Sequence, residues 1–302
     1  GIYIYQRSLV AGAHHLIDLA GPDGRLNVLV IGDDKRRLDA GRADTLMIAS
    51  FDPAAGRLTL LSVPRDTRVH IPGLPGYRKI NEAVTRGGAE LARQTVTSLL
   101  GVHVDYYVLV DFEAFEKLID AIGGVMIDVE KPMKYVDRGQ NLTIDLDPGR
   151  QVLNGREALQ YVRFRADSLG DVALVVPGQE IYDGRVARQL KFARALARKV
   201  LSPATLLRLP HLVTRLYELV ETDLPLQTMV SLAIAARRID PSEIETALVP
   251  GVGEIIDGVS YWMPDLRRTD ELVAALFGPA GSAPARREHV GAAPVAWAPG
   301  ER

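Results

Sequence analysis

The chain has 302 residues, of which 47% are hydrophobic and 25% charged, with a formal net charge of −2. That length suffices for one large domain with a full core, and the near-neutral charge excludes a global basic field that would draw the protein to nucleic acid. The absence of cysteine excludes disulfides, thiolate nucleophiles and thiolate metal sites.

The chain opens at Gly1-Ile2-Tyr3-Ile4-Tyr5 without an initiator methionine or a signal peptide, which leaves open a targeting or anchoring segment upstream. No apolar run approaches the roughly 20 residues that cross a bilayer. Residues 27–31 are a short apolar run ending at Gly32, the pattern of a buried strand. Residues 45–51 and 57–63 repeat the pattern, and Asp52-Pro53-Ala54-Ala55-Gly56 between them is a turn that makes them hairpin partners. From 81 to 100 the apolar positions Ala83, Val84, Leu91, Val96, Leu99 and Leu100 predict a helix, broken or kinked at Gly87-Gly88. A strand at 106–110, a helix at 112–122 and a strand at 125–129 follow. This alternation predicts an α/β fold with a covered central sheet, and the early hairpin argues against a purely parallel one.

The second half is more helical, with expected helices at 154–161, 185–201, 203–220, 226–239 and 264–277 and a strand at 244–249. From 279 the chain is rich in Ala, Pro, Gly and Arg without an apolar period, so disorder is expected there. No repeat or linker divides the rest, which reads as one domain.

The sequence has no phosphate-binding glycine loop, dinucleotide turn, zinc-protease motif or serine elbow, and its six histidines are scattered. The candidate chemistry is therefore built from Asp, Arg, Lys, Asn and Gln. Asp34 follows the first strand and Asp44 precedes the second. If those strands are near neighbours, both carboxylates emerge at one rim, where they suit a hard cation such as magnesium; otherwise they are solvated turn residues. Ser62-Val63-Pro64-Arg65-Asp66-Thr67 ends the third strand, with proline stopping the strand so that Arg65 and Asp66 project from the rim. Lys79-Ile80-Asn81 opens a helix, a suitable place for an anion.

In Tyr161-Val162-Arg163-Phe164-Arg165, an extended backbone would turn Arg163 and Arg165 to one face. Two guanidinium groups there need either acidic partners or a ligand such as pyrophosphate. On a helix from Gly184, residues Arg185, Arg188 and Gln189 share a face. Cations in a first helical turn oppose the macrodipole unless an anion is bound, and the alternative is a solvated amphipathic face.

In this order and spacing the motifs resemble the LytR–CpsA–Psr family of cell-wall glycopolymer transferases. The resemblance runs through residues 27–34, Arg42-Ala43-Asp44-Thr45, residues 62–67, Lys79-Ile80-Asn81, Gly123-Gly124-Val125, Leu153-Asn154-Gly155, residues 161–165 and residues 184–189. It implies a three-layer α–β–α sandwich with a mixed central sheet and a long apolar lipid-binding tunnel. It also implies a domain at 27–278, preceded at 1–26 by a segment that follows a membrane anchor and followed at 279–302 by a tail. The expected location is the extracytoplasmic face of the bacterial cell membrane.

The activity implied is magnesium-dependent transfer of a glycan phosphate from a polyprenyl-pyrophosphate-linked donor to peptidoglycan or another cell-wall acceptor. A pyrophosphate hydrolase and a non-catalytic polyprenyl-phosphate-binding regulator are the alternatives. By motif position Asp34 and Asp44 would hold Mg2+, and Arg65, Lys79, Asn81, Arg163, Arg165, Arg185, Arg188 and Gln189 would surround the pyrophosphate. Asp34, Asp44, Arg65 and Asp66 form the expected catalytic set, with Asp66 as candidate base and Asp44 as its alternative. The chain departs from the family pattern at 172–183, an apparent insertion expected to form a mobile hairpin flap.

Overall fold

A computed structural model describes residues 24–33, 43–138, 142–164 and 184–278. The early run is a strand triplet, β1 (Leu26–Asp33), β2 (Ala43–Asp52) and β3 (Arg57–Val63), followed by a short hairpin of β4 (Arg68–His70) and β5 (Tyr77–Lys79). Next come α1 (Glu82–Leu100), β6 (Tyr106–Asp111) and α2 (Phe112–Ala121). Two small hairpin sheets are built from β7 (Val125–Val129), β8 (Met133–Asp137), β9 (Leu142–Leu146) and β10 (Gly149–Leu153), and α3 (Gly155–Arg163) closes this half. The rest is α4 (Arg185–Val200), α5 (Pro203–Leu206), α6 (Leu209–Leu216), β11 (Glu221–Thr222), α7 (Leu226–Ala235), β12 (Glu245–Leu248), β13 (Gly251–Ile256), β14 (Val259–Pro264) and α8 (Leu266–Phe277).

Among the described residues the central sheet has six strands in the order β11-β6-β1-β2-β3-β12. β2 is antiparallel to both β1 and β3, whereas β6 is parallel to β1 and β12 is parallel to β3. The sheet is therefore mixed, as the early hairpin implied. Alternation along the strands assigns the two faces. Leu46 and Ile48 of β2 and Leu61 and Val63 of β3 join one core with Val96 of α1 and Phe277 of α8. Met47 and Leu60 face the other way, with Leu190, Ala193 and Ala197 of α4 packed against them. Helices thus cover both faces, giving three layers.

A second core lies beside the sheet. Ile127 of β7, Met133 of β8, Ile144 of β9, Tyr161 of α3 and Phe192 of α4 meet there. The Leu153-Asn154-Gly155 motif has a local explanation in this lobe. Asn154 and Glu157 form a reciprocal capping box that starts α3. A Cβ on Gly155 would stand 2.2 Å from the Glu116 carbonyl oxygen, so only glycine permits α3 to approach α2 this closely.

Most expected elements are present with shifted ends. α1 is interrupted as expected, since Gly88 takes φ 67° and ψ −163°, a conformation costly for other residues. The single helix expected over 203–220 is instead α5, α6 and a short 3-10 turn. The proline in the first turn of α6 suits a helix start and not the continuation of a preceding helix, because it lacks the backbone N–H. The last helix begins at Leu266, where the Asp265 side chain accepts from the Arg268 amide. The residues just before it form the β13–β14 hairpin, which the sequence reading did not anticipate.

Candidate functional site at the carboxyl ends of the strands

β6, β1, β3 and β12 all run in one direction, so their carboxyl ends share one rim, where open α/β sheets collect ligands. β2 begins at the same rim, with Thr45 opposite Gly32 and Ala43 opposite Asp33. Asp44, Arg65 and Asp66 emerge there together.

They form a charge relay. Arg65 Nη1 donates to Asp44 Oδ1 at 2.5 Å, and Arg185 Nη1 lies 3.7 Å from the same oxygen. Arg65 Nε donates to Asp66 Oδ2 at 3.3 Å, and Lys79 Nζ lies 2.8 Å from Asp66 Oδ1. Backbone bonds fix the loop that carries them. Ile80 N donates to Thr67 O, Asn81 N donates to Arg65 O, and Thr67 N donates to Pro64 O. The Lys79-Ile80-Asn81 and Pro64–Thr67 motifs are therefore one piece of structure. Asn81 is buried at the start of α1, and its side chain makes no cap bond there.

Arg163 corrects an expectation. It is the last residue of α3, not part of an extended segment, and the chain leaves the helix only at Phe164. The capping box and the buried stripe Ala158, Leu159 and Tyr161 carry helix through Arg163, so Arg163 is not on the extended backbone that the sequence suggested. Arg163 lies over the Phe112 ring, 4.4 Å from its centroid, just beyond the rim end of β6. Asp34 and Arg165, like the segment 172–183, fall outside the described residues.

The arginine turn of α4 meets the carboxyl end of α3. Arg188 is 0% exposed. Its Nη2 donates to the Phe164 carbonyl at 2.9 Å, its guanidinium lies over the Phe164 ring, and Nη1 is 3.7 Å from Glu130 Oε1. Gln189 Nε2 donates to the Val162 carbonyl at 3.4 Å. The macrodipole conflict is thereby offset without a ligand: Arg188 meets the negative end of α3 and the Glu130 carboxylate, and Arg185 meets Asp44.

Sequence reasoning missed Asp111 and Glu130. Asp111 ends β6 opposite Asp33 and caps α2, accepting from Ala114 N at 2.8 Å; an Asp between a strand and a helix was a readable signal. Glu130 follows β7 with no motif to mark it. Burial, reinforced by the Glu130 carboxylate, pushes the Tyr161 phenol far above its ordinary range, so Tyr161 stays protonated and donates to Glu130 Oε2 at 3.0 Å.

Among the described residues, no group of three or more His, Asp or Glu is placed to hold a metal ion. Asp44 supplies a hard oxygen donor at the rim. Its Oδ1 already faces Arg65 and Arg185, so a hard cation would need further oxygen donors beside it.

The fold and site define a class: a mixed α–β–α sandwich with cations and carboxylates alternating at the carboxyl ends of its strands. The chain belongs to the LytR_cpsA_psr family, whose sequence model matches residues 8–277. It is 35% identical over 234 residues to the regulatory protein MsrR of Staphylococcus aureus (strain COL), covering 76% of this chain and 65% of that protein. The chain thus spans slightly less than two thirds of the length of this relative. It is 33% identical over 248 residues to the polyisoprenyl-teichoic acid–peptidoglycan teichoic acid transferase TagU of Oceanobacillus iheyensis, covering 79% of this chain and 71% of that protein. The crystal structure of B. subtilis TagV resembles it with a TM-score of 0.69 at 26% identity, over 83% of this chain and 96% of that one.

Proposed function

We propose that this protein is a cell-wall glycopolymer transferase that moves a glycan phosphate from a polyprenyl-pyrophosphate donor to peptidoglycan. Family membership and the likeness to TagU support the reaction class. The observation that carries the reading is the relay of Arg185, Asp44, Arg65, Asp66 and Lys79 at the rim. Three cations against two carboxylates leave a net charge of +1, suited to a diphosphate diester once its oxygens compete for the guanidinium groups.

In the proposed reaction an acceptor hydroxyl oxygen bonds to the glycan-side phosphorus. The bridging P–O bond breaks, and polyprenyl phosphate leaves with the electron pair. Arg65 and Arg185 stabilise the charge that develops on the phosphoryl oxygens, with Arg163, Arg165, Arg188, Gln189, Lys79 and Asn81 around the diphosphate. The hydroxyl proton passes to Asp66, or to Asp44 in the alternative assignment. Each Asp66 oxygen already faces a cation, so an acceptor hydroxyl would share one of these oxygens with it. Asp66→Asn and Asp44→Asn, compared on one donor, separate the two. Magnesium held by Asp34 and Asp44 would neutralise phosphate charge. The same reading sets the reaction at the extracytoplasmic membrane surface, with an apolar tunnel for the prenyl chain and a membrane anchor ahead of the 1–26 segment. No helix among the described residues is long and apolar enough to cross a membrane.

The test is incubation with a polyprenyl-diphosphate glycan and peptidoglycan, with and without chelator. Glycan phosphate should become linked to peptidoglycan, and Asp44→Ala should abolish the linkage. Release of glycan phosphate to water alone would make the protein a hydrolase. Tight lipid retention without turnover would favour the regulatory reading that the name of MsrR suggests.

A further inference from the structure

Glu130 is absent from every motif that marks the site, yet it gathers side chains from two helices. Its Oε1 faces Arg188 Nη1 at 3.7 Å, while its Oε2 accepts from the Tyr161 hydroxyl at 3.0 Å and lies 3.2 Å from Lys191 Nζ. Tyr161 belongs to α3, and Arg188 and Lys191 belong to α4. Lys191 also donates to the Asp128 carbonyl at 2.5 Å, tying α4 to the last strand residues before Glu130. Tyr161 is fully buried and remains a hydrogen-bond donor, so Oε2 is held in place and Oε1 is left turned toward the guanidinium.

We infer that Glu130 is a positioning residue for the transfer reaction: it clamps the first turns of α4 against α3 and so fixes the directions of Arg188 and Arg185. The inference rests on the proposed transferase reading. Arg188 and Arg185 lie one helical turn apart, so a rotation of this end of α4 moves both. Arg188 is held on one side by the Phe164 carbonyl and on the other by Glu130. Removing the Glu130 charge leaves the buried guanidinium with a weaker partner and frees it to turn. The diphosphate would then meet two cations whose spacing is no longer set in advance.

The experiment compares Glu130→Gln, Tyr161→Phe, Arg188→Lys and the double variant Glu130→Gln/Arg188→Lys. It reads kcat and KM for the polyprenyl-diphosphate donor, Kd for geranylgeranyl diphosphate, and thermal unfolding. Glu130→Gln keeps the size of the side chain and loses the charge. It should lower kcat/KM about 10- to 100-fold, the range for a displaced supporting contact. Tyr161→Phe keeps the charge and loses the orienting bond, and should cost roughly 3- to 10-fold. The double variant should be little worse than Arg188→Lys alone, because Glu130 acts through Arg188. Lys117→Gln, at an exposed pair with Glu113 on α2, is the control and should change nothing.

Losses that multiply in the double variant would overturn the inference, as would values within about twofold of wild type in both Glu130→Gln and Tyr161→Phe. If Glu130→Gln does not fold, Tyr161→Phe decides. Wild-type protein that binds the diphosphate without transferring it would refute the transferase reading while leaving positioning to be read from Kd. Failure of the wild type to bind the diphosphate at all would overturn both.

Discussion

Arg185 and Arg188 stand one turn apart at the start of the same helix, both almost wholly buried, yet they occupy different kinds of place. Arg185 reaches a carboxylate that Arg65 already shares, in a relay whose Asp and Lys members are a fifth to a quarter exposed. Arg188 closes the carboxyl end of α3 and lies over the Phe164 ring beside Glu130. In the first place a ligand oxygen can replace one carboxylate contact with another of the same chemistry. In the second, every exchange disturbs a helix end and a core. The difference teaches that an arginine matching a family motif carries two separable duties, holding ligand and holding fold, and neighbouring positions divide them unequally.

The comparison breaks first at Arg65, which has the relay's central guanidinium. Arg65→Ala should lower transfer roughly 10²- to 10³-fold, equivalent to about 2.7–4 kcal/mol of transition-state stabilisation. Its partners are partly exposed, so unfolding free energy should fall by less than about 1 kcal/mol. A large loss of stability in denaturant titration would make the relay a structural network. Arg188→Ala should add a stability cost of about 3 kcal/mol to its loss of transfer, near the low end for a broken buried pair because Glu130 is a quarter exposed. A variant as stable as wild type would remove the distinction between the two arginines.

The sequence shows why the two places were not equally legible. Apart from Arg185, which starts α4, the relay residues lie near strand ends marked by Gly32, by Pro64 and by the Pro/Gly-rich loop before Lys79, where local turn chemistry and strand periodicity draw attention. Their convergence needed β1, β2 and β3 to be neighbours; the turn at 52–56 suggested this for β2 and β3, and the β1–β2 pairing is given by the fold. The α3–α4 junction depends on contacts across long sequence distance. Glu130 and Arg188 are far apart in the chain, and no spacing rule relates them. Around Arg163 the alternation of apolar and charged residues fits a strand as well as the end of an amphipathic helix. The capping box at Asn154 and burial of Tyr161 decided for helix. A local cap and tertiary packing made that choice together. The β13–β14 hairpin escaped for the opposite reason: much of it is exposed, including Val252 and Ile255, so it has no clean apolar alternation to read.

Lys79 gives the smallest effect and the sharpest limit on the relay. Its ammonium lies 2.8 Å from Asp66 Oδ1 and 5.7 Å from the centre of the Tyr261 ring, with the side chain a quarter exposed. An ion pair this open is worth about 0.2–1 kcal/mol, so Lys79→Met should barely alter unfolding. It does remove one of three cations from the relay, taking its net charge from +1 to zero. If Lys79 contributes potential and not a directed bond to the transferring phosphate, the donor KM should rise roughly threefold to tenfold at low salt while kcat stays unchanged, the pattern of lost uniform binding. Added salt should shrink the difference from wild type, since exposed charges are screened over about 10 Å at 0.1 M ionic strength. Kinetics across an ionic-strength series provide the measurement. A kcat loss as large as that of Arg65→Ala, insensitive to salt, would instead put Lys79 on the reacting phosphate beside Arg65.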